Sequence, residues 1–181
     1  MPVQEGLVGP FPDGADPDEY DRLRRRVMWA MPYGLYIVGS RDGDRRNGMT
    51  INLVTQVSSD PKQVGISVEK DAYTHELIAA GGVFALNLID REDRPIVRKF
   101  TKPVDVDLDA MTLNEFAFRD APVTGAPVLT QAVGYIDCRV SGVLEAGSHS
   151  FFVGEVVDAA FQKDEDTPVL RMEDTRMNYG G

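Results

Sequence analysis

One cysteine in 181 residues leaves little room for cysteine chemistry. Cys138 has no partner for an intramolecular disulfide, and there is no cysteine cluster for zinc or an iron–sulfur centre. Its neighbours alternate, with Ile136, Cys138 and Val140 on one strand face and Tyr135, Asp137 and Arg139 on the other. That pattern predicts a small core residue in preference to a reactive thiol. Positive charge is also in short supply. Lys and Arg number 19 against 29 Asp and Glu, for a net charge of -10. Nucleic-acid binding needs a basic footprint, so that class is excluded. A single small anion is not, because a few local cations and backbone N–H groups suffice for a phosphate. Apolar runs are too short to cross a bilayer, and no basic segment followed by an apolar core marks a secretory signal. No membrane association and a cytoplasmic location are therefore expected. No G-x-G-x-x-G joins a strand to a helix, which leaves a Rossmann nucleotide site without support.

What remains is an ordinary globular composition, 43% hydrophobic and 27% charged, in a length suited to one domain. Residues 1–15, with Pro2, Pro10 and Pro12, read as an N-terminal arm that either wraps a partner or stays mobile; residues 16–181 read as the domain. Asp16-Pro17-Asp18-Glu19 is a helix start, with Asp16 as cap and Pro17 at the first helical position. Tyr20, Leu23, Val27, Ala30 and Met31 follow the helical period to about residue 31. Arg22, Arg24, Arg25 and Arg26 form a solvated face or, less simply, a docking site for an acidic partner.

Strands dominate thereafter. They are expected at 35–39, 48–57, 64–68, 83–89, 128–144 and 150–161, with a short last one at 169–172. Asp42-Gly43-Asp44 and Gly147-Ser148 are the turns. Helices are expected at 74–80 and 91–100, and residues 101–126 read as irregular. Many strands with few helices between them predict a mainly β fold, a closed or nearly closed antiparallel barrel.

The segment from Thr50 to Ser58 has two faces. Ile51, Leu53 and Val57 lie on one, with Thr55 between them. Thr50, Asn52, Gln56 and Ser58 lie on the other, with Val54 the sole apolar member. Two readings stay open. The polar face is solvated, or it lines a site. Uncharged hydroxyl and amide groups suit ribityl hydroxyls and phosphate oxygens, and this face lacks the Lys and Glu that a solvated face usually recruits.

The run Gly48-Met49-Thr50-Ile51-Asn52-Leu53-Val54-Thr55-Gln56-Val57-Ser58-Ser59-Asp60-Pro61 resembles the signature of the flavin reductase-like, FMN-binding split β-barrel family. The similarity continues in order. Gly65 to Lys70 resembles that family's third strand, and Tyr73-Thr74-His75-Glu76-Leu77-Ile78 its helix start. Phe84-Ala85-Leu86-Asn87-Leu88 resembles its "F-x-x-N-L" strand, and Gly147 to Val156 its histidine-bearing hairpin. The match spans roughly residues 30 to 160.

The resemblance implies an antiparallel split barrel that forms a homodimer, with FMN in a groove at the interface. Asn47, Met49, Thr50, Ile51 and Asn52 would line the flavin. Gln56, Val57 and Ser58 would offer donors to its polar edge. Lys70, Tyr73 and Thr74 would hold the phosphate. His149 would lie near the open flavin face and orient the nicotinamide of NADH or NADPH, with His75 structural. The implied activity is hydride transfer from NAD(P)H to FMN, in a reductase serving an oxygenase or another redox partner. A flavoredoxin-type electron carrier is the alternative, and a split barrel for haem, F420 or no cofactor is a third. Two departures stand out. Asp71 and Ala72 occupy positions where relatives carry serines, and Ser148 precedes the hairpin histidine where relatives carry Asp. The tail through Tyr179 resembles family C-termini that return toward the flavin; a frayed end is the simpler reading.

Overall fold

The first helix starts where Asp16 predicts. In this computed structural model, which describes residues 7–177, the Asp16 carboxylate accepts the Glu19 N–H at 2.9 Å and α1 runs Pro17–Trp29. Its apolar stripe is not a core face. Leu23 is 55% and Val27 62% exposed, and the buried member of the helix is Asp21, which takes Arg24 at 2.6 Å and Arg25 at 3.0 Å. Periodicity locates an apolar face without saying what covers it. The described part of the arm is tied to this helix. Arg24 donates to the Val8 carbonyl at 2.6 Å and stacks over Phe11. Tyr179 lies outside the described residues.

The chain then alternates strands and short helices. β1 (Tyr36–Asp42) and β2 (Arg45–Ile51) form a hairpin over Gly43, whose φ of 55° suits the residue without a side chain. β3 (Val54–Ser59) and β4 (Lys62–Glu69) turn at Asp60-Pro61, the break the sequence predicts. α2 (Tyr73–Gly81) stops at Gly82 in the left-handed region and leads into β5 (Val83–Leu88). The helix expected over 91–100 divides into a 3-10 turn (Arg91–Asp93) and α3 (Ile96–Lys99), because Pro95 between them has no N–H to continue the ladder. The irregular segment holds three short strands: β6 (Val106–Asp107), β7 (Thr112–Leu113) and β8 (Phe116–Asp120). The strand expected over 128–144 is two, β9 (Pro127–Leu129) and β10 (Gly134–Ala146), and β10 pairs with β11 (His149–Phe161) across the Gly147-Ser148 turn. The strand expected at 169–172 reduces to two isolated bridges, Asp90 with Val169 and Gly34 with Arg171.

Seven strands make one antiparallel sheet in the order β2-β1-β5-β10-β11-β4-β3. β2 and β3 are neighbours in sequence and sit at opposite edges. The three Cα steps from Ile51 to Val54 span roughly 11 Å at most. The sheet therefore has to curl until its two edges approach, although they do not pair. The segment expected as one strand over 48–57 is thus two strands, divided at Asn52-Leu53. β6–β9 form a second, smaller sheet.

Both faces of the main sheet are packed near its middle. Val38, Ile66, Phe84, Cys138 and Phe152 share one core cluster, while Ala85, Val128 and Tyr135 belong to another. Cys138 is fully buried, as its alternation predicts, and burial pushes its thiol up to about 12. Among the described residues, no helix is long and apolar enough to cross a membrane.

Candidate functional site

A cleft of about 340 Å³ opens between the middle of β2 and the start of α2. Asn47, Gly48 and Met49 form one wall, and Ala72, Tyr73 and Thr74 form the second. The segment Phe100–Val104 closes the third side. The two strand–helix walls are joined directly, since the Asn47 Nδ2 amide donates to Thr74 Oγ1 at 2.7 Å, both side chains buried. Gly48 is required by its surroundings. A Cβ there would meet a Phe100 ring carbon at 2.8 Å and Leu113 at 3.3 Å. α2 begins without a side-chain cap at Ala72, so its first N–H groups lack the partner that a serine or aspartate would supply.

Four of the residues expected to bind the cofactor, Asn47, Met49, Tyr73 and Thr74, therefore meet in one place. The others are distributed around it. Thr50 faces α3, with its hydroxyl donating to the Val97 carbonyl at 2.5 Å and its N–H to the Phe100 carbonyl at 3.0 Å. Ile51 is in the core at 4% exposure. Gln56, Val57 and Ser58 are on edge strand β3, with a register shift between Gln56 and Ser58 and Gln56 donating to the Ser58 carbonyl at 3.2 Å. They are outside the cleft lining.

Asn52 is buried at 2% exposure, and neither its amide nitrogen nor its amide oxygen has a hydrogen-bond partner. Asn87 shows what a structural amide looks like in the same fold. Its Nδ2 donates to the Ile37 and Pro127 carbonyls, and its Oδ1 accepts from the Leu129 N–H at 2.7 Å. A buried amide with no partner costs about 1–3 kcal/mol, so Asn52 is the kind of group that a ligand repays.

Lys70, between β4 and α2, and His149, at the start of β11, do not line the cleft. Lys70 Nζ lies 2.7 Å from Glu145 Oε2, and its backbone N–H donates to the Ser148 carbonyl at 2.9 Å. The hydrogen bond from Lys70 holds the exposed Glu145 carboxyl below its ordinary range. Glu145 also accepts the Ser150 hydroxyl at 3.2 Å, and Ser150 Oγ lies 2.8 Å from His75 Nε2. The hydroxyl proton is committed to the carboxylate, so the imidazole is the donor. His75 packs its ring edge-on against Phe152 at 5.1 Å, which makes it structural. His149 bonds through Nδ1 to Ser148 Oγ at 2.9 Å. The adjacent serine thus orients the imidazole. His149 is outside the cleft lining.

Residues 100–104 are part of the site that the sequence did not disclose. Phe100 ends the expected helix, 101–104 open the irregular segment, and no motif marks them. A second cleft of about 500 Å³ involves Trp29, Tyr33, Tyr36, Arg171 and Met172, and none of the expected cofactor residues line it.

The chain matches the family described as "Flavin reductase like domain" over residues 28–180. It is 31% identical over 137 residues to the high molecular weight rubredoxin of Moorella thermoacetica. That match covers 75% of this chain, and the chain spans 58% of the relative's length. Among solved structures it is similar to the Streptomyces globisporus NADH:FAD oxidoreductase SgcE6, with a TM-score of 0.70, 31% identity, and coverage of 84% of this chain and 89% of that one. It is also similar to BorF, the flavin reductase component of a bacterial two-component tryptophan halogenase. There the TM-score is 0.67 and the identity 25%, over 77% and 86% of the two chains.

Proposed function

The chain belongs to the flavin reductase-like family, and we propose that it is an NAD(P)H-dependent flavin reductase that holds FMN in the cleft between β2 and α2. The observation that carries this reading is the convergence of Asn47, Met49, Tyr73 and Thr74 on one cleft. Its lining fits the group. Met49, Phe100 and Val104 are apolar, as an isoalloxazine needs, while Asn47, Thr74 and the uncapped helix start are uncharged polar partners for the ribityl chain. The Asn52 amide, with donor and acceptor both unused, matches a flavin edge that presents acceptors beside an N–H. Thr50 and Ile51 end β2, and Gln56, Val57 and Ser58 lie on β3; these are the two edge strands that would flank the ring.

Bound flavin supplies the redox chemistry, taking a hydride from the nicotinamide and passing electrons onward. The protein's own work is positioning. Asn47 and Thr74 fix the two walls relative to each other. His149, oriented by Ser148, would position the nicotinamide and need not move a proton.

The unpaired edges of the curled sheet support the split-barrel reading. A second copy would close the groove and shield the ring from water. The exposed apolar residues Leu23, Val27 and Met28 on α1, with Met31 just after it, support a homodimer. The likeness to BorF supports a role as the reductase half of a two-component oxygenase-type system. Similarity to the high molecular weight rubredoxin favours a second reading, an FMN electron carrier charged by a partner protein. Anaerobic addition of NADH or NADPH to the FMN-loaded protein decides between them. Bleaching of the flavin band by either nucleotide is expected of the reductase. A band that resists both but yields to dithionite would leave the carrier.

A further inference from the structure

Resting on the flavin reading above, we infer that Lys102, and not Lys70, is the cation that grips the flavin's terminal phosphate. The family pattern points to Lys70, but the cleft does not contain it. Among the lining residues there is one charged side chain, Lys102, and no acid. Lys102 makes no ion pair among the described residues. Its segment is held on both sides. Phe100 is buried at 1% exposure, Asn114 donates to the Lys99 carbonyl at 2.7 Å, and Val104 packs against the core. The exposed ammonium therefore works from an anchored backbone, in a segment that lines the same cleft as Tyr73 and Thr74.

Lys70 is committed elsewhere. Glu145, its partner at 2.7 Å, is also fixed by Ser150. Moving Lys70 to a phosphate would break a formed ion pair and set the phosphate against the freed Glu145 and the neighbouring Asp71. What Lys70 does instead is fasten the β10–β11 hairpin, and with it His149, to the start of α2 through its ammonium and its backbone N–H. The replacement of two serines by Asp71 and Ala72 fits this arrangement. Hydroxyl donors are missing on the α2 side, and Lys102 supplies a full charge in the same cleft.

FMN and riboflavin differ by the phosphate alone, so the pair isolates its contact. Flavin-fluorescence titrations of the full chain should compare the wild type with Lys102→Gln and Lys70→Gln. Loss of a charge-assisted bond predicts that Lys102→Gln weakens FMN binding about tenfold or more and leaves riboflavin affinity unchanged. Lys70→Gln should leave the ratio of FMN to riboflavin affinity unchanged. A ratio that falls in Lys70→Gln and holds in Lys102→Gln would overturn the assignment. So would a wild type that binds both flavins equally, although the flavin site itself would stand. A wild type that binds neither flavin would remove the site and the assignment together.

Discussion

The amide nitrogen of Asn47 lies 2.7 Å from the hydroxyl oxygen of Thr74, joining a strand to a helix start 27 residues later in the chain. Both side chains are buried. Replacing Thr74 by Val keeps the volume and deletes the acceptor. The Asn47 amide is then left without its partner, at a cost of about 1–3 kcal/mol. Urea unfolding should show a lower midpoint at unchanged slope, with slope times midpoint shift equal to that cost. Flavin affinity should fall with it, because the walls of the cleft lose their tie.

Asn52 predicts the opposite pattern. Its amide is unpartnered in the ligand-free fold, so Asn52→Leu removes a buried polar group that nothing satisfies. The flavin-free protein should be as stable as wild type or more so, by about 1 kcal/mol. Flavin affinity should drop. Thermal melts with and without FMN check both halves, and a variant that melts lower without FMN yet binds it normally would assign Asn52 to the core.

Much of this was legible in the sequence, and the misses share a cause. Asp16 as cap, the Asp60-Pro61 break, the Gly147-Ser148 turn and the burial of Cys138 are local properties, and each is where the sequence puts it. The alternation from Thr50 to Ser58 is also real, but alternation carries no record of strand partners. It could not reveal that Asn52-Leu53 passes from one sheet edge to the other. Leu23 and Val27 keep the helical period on a face that the fold of one chain leaves exposed. Lys102 had no signal at all, because its place in the cleft lining depends on how a segment without periodicity is held by Phe100 and Asn114.

Cys138 gives a pH prediction. With its thiol pushed up to about 12, the native protein should resist alkylation at pH 8 and react only once denatured. Above pH 9 the unfolded chain releases this proton while the folded chain keeps it, so unfolding is favoured more with each step toward 12. That contribution is fully present below pH 9 and lost as pH rises through about 12. Cys138→Ala should remove this part of the alkaline slope in urea midpoints measured from pH 8 to 11.

If Lys102 holds the phosphate, FMN binding should be salt-sensitive and riboflavin binding should not. Raising the ionic strength from 0.05 to 0.5 M should weaken FMN several-fold, since the contact is open to solvent and screened. Equal loss for both flavins would point to a general effect of salt on the fold.

The cleft between β2 and α2 is most directly tested by a crystal structure of the protein grown with saturating FMN. Flavin density is expected against Asn47, Met49, Tyr73 and Thr74, with the phosphate end toward Lys102. Density in the cleft around Tyr33 and Arg171, or none in either cleft, would contradict the assignment.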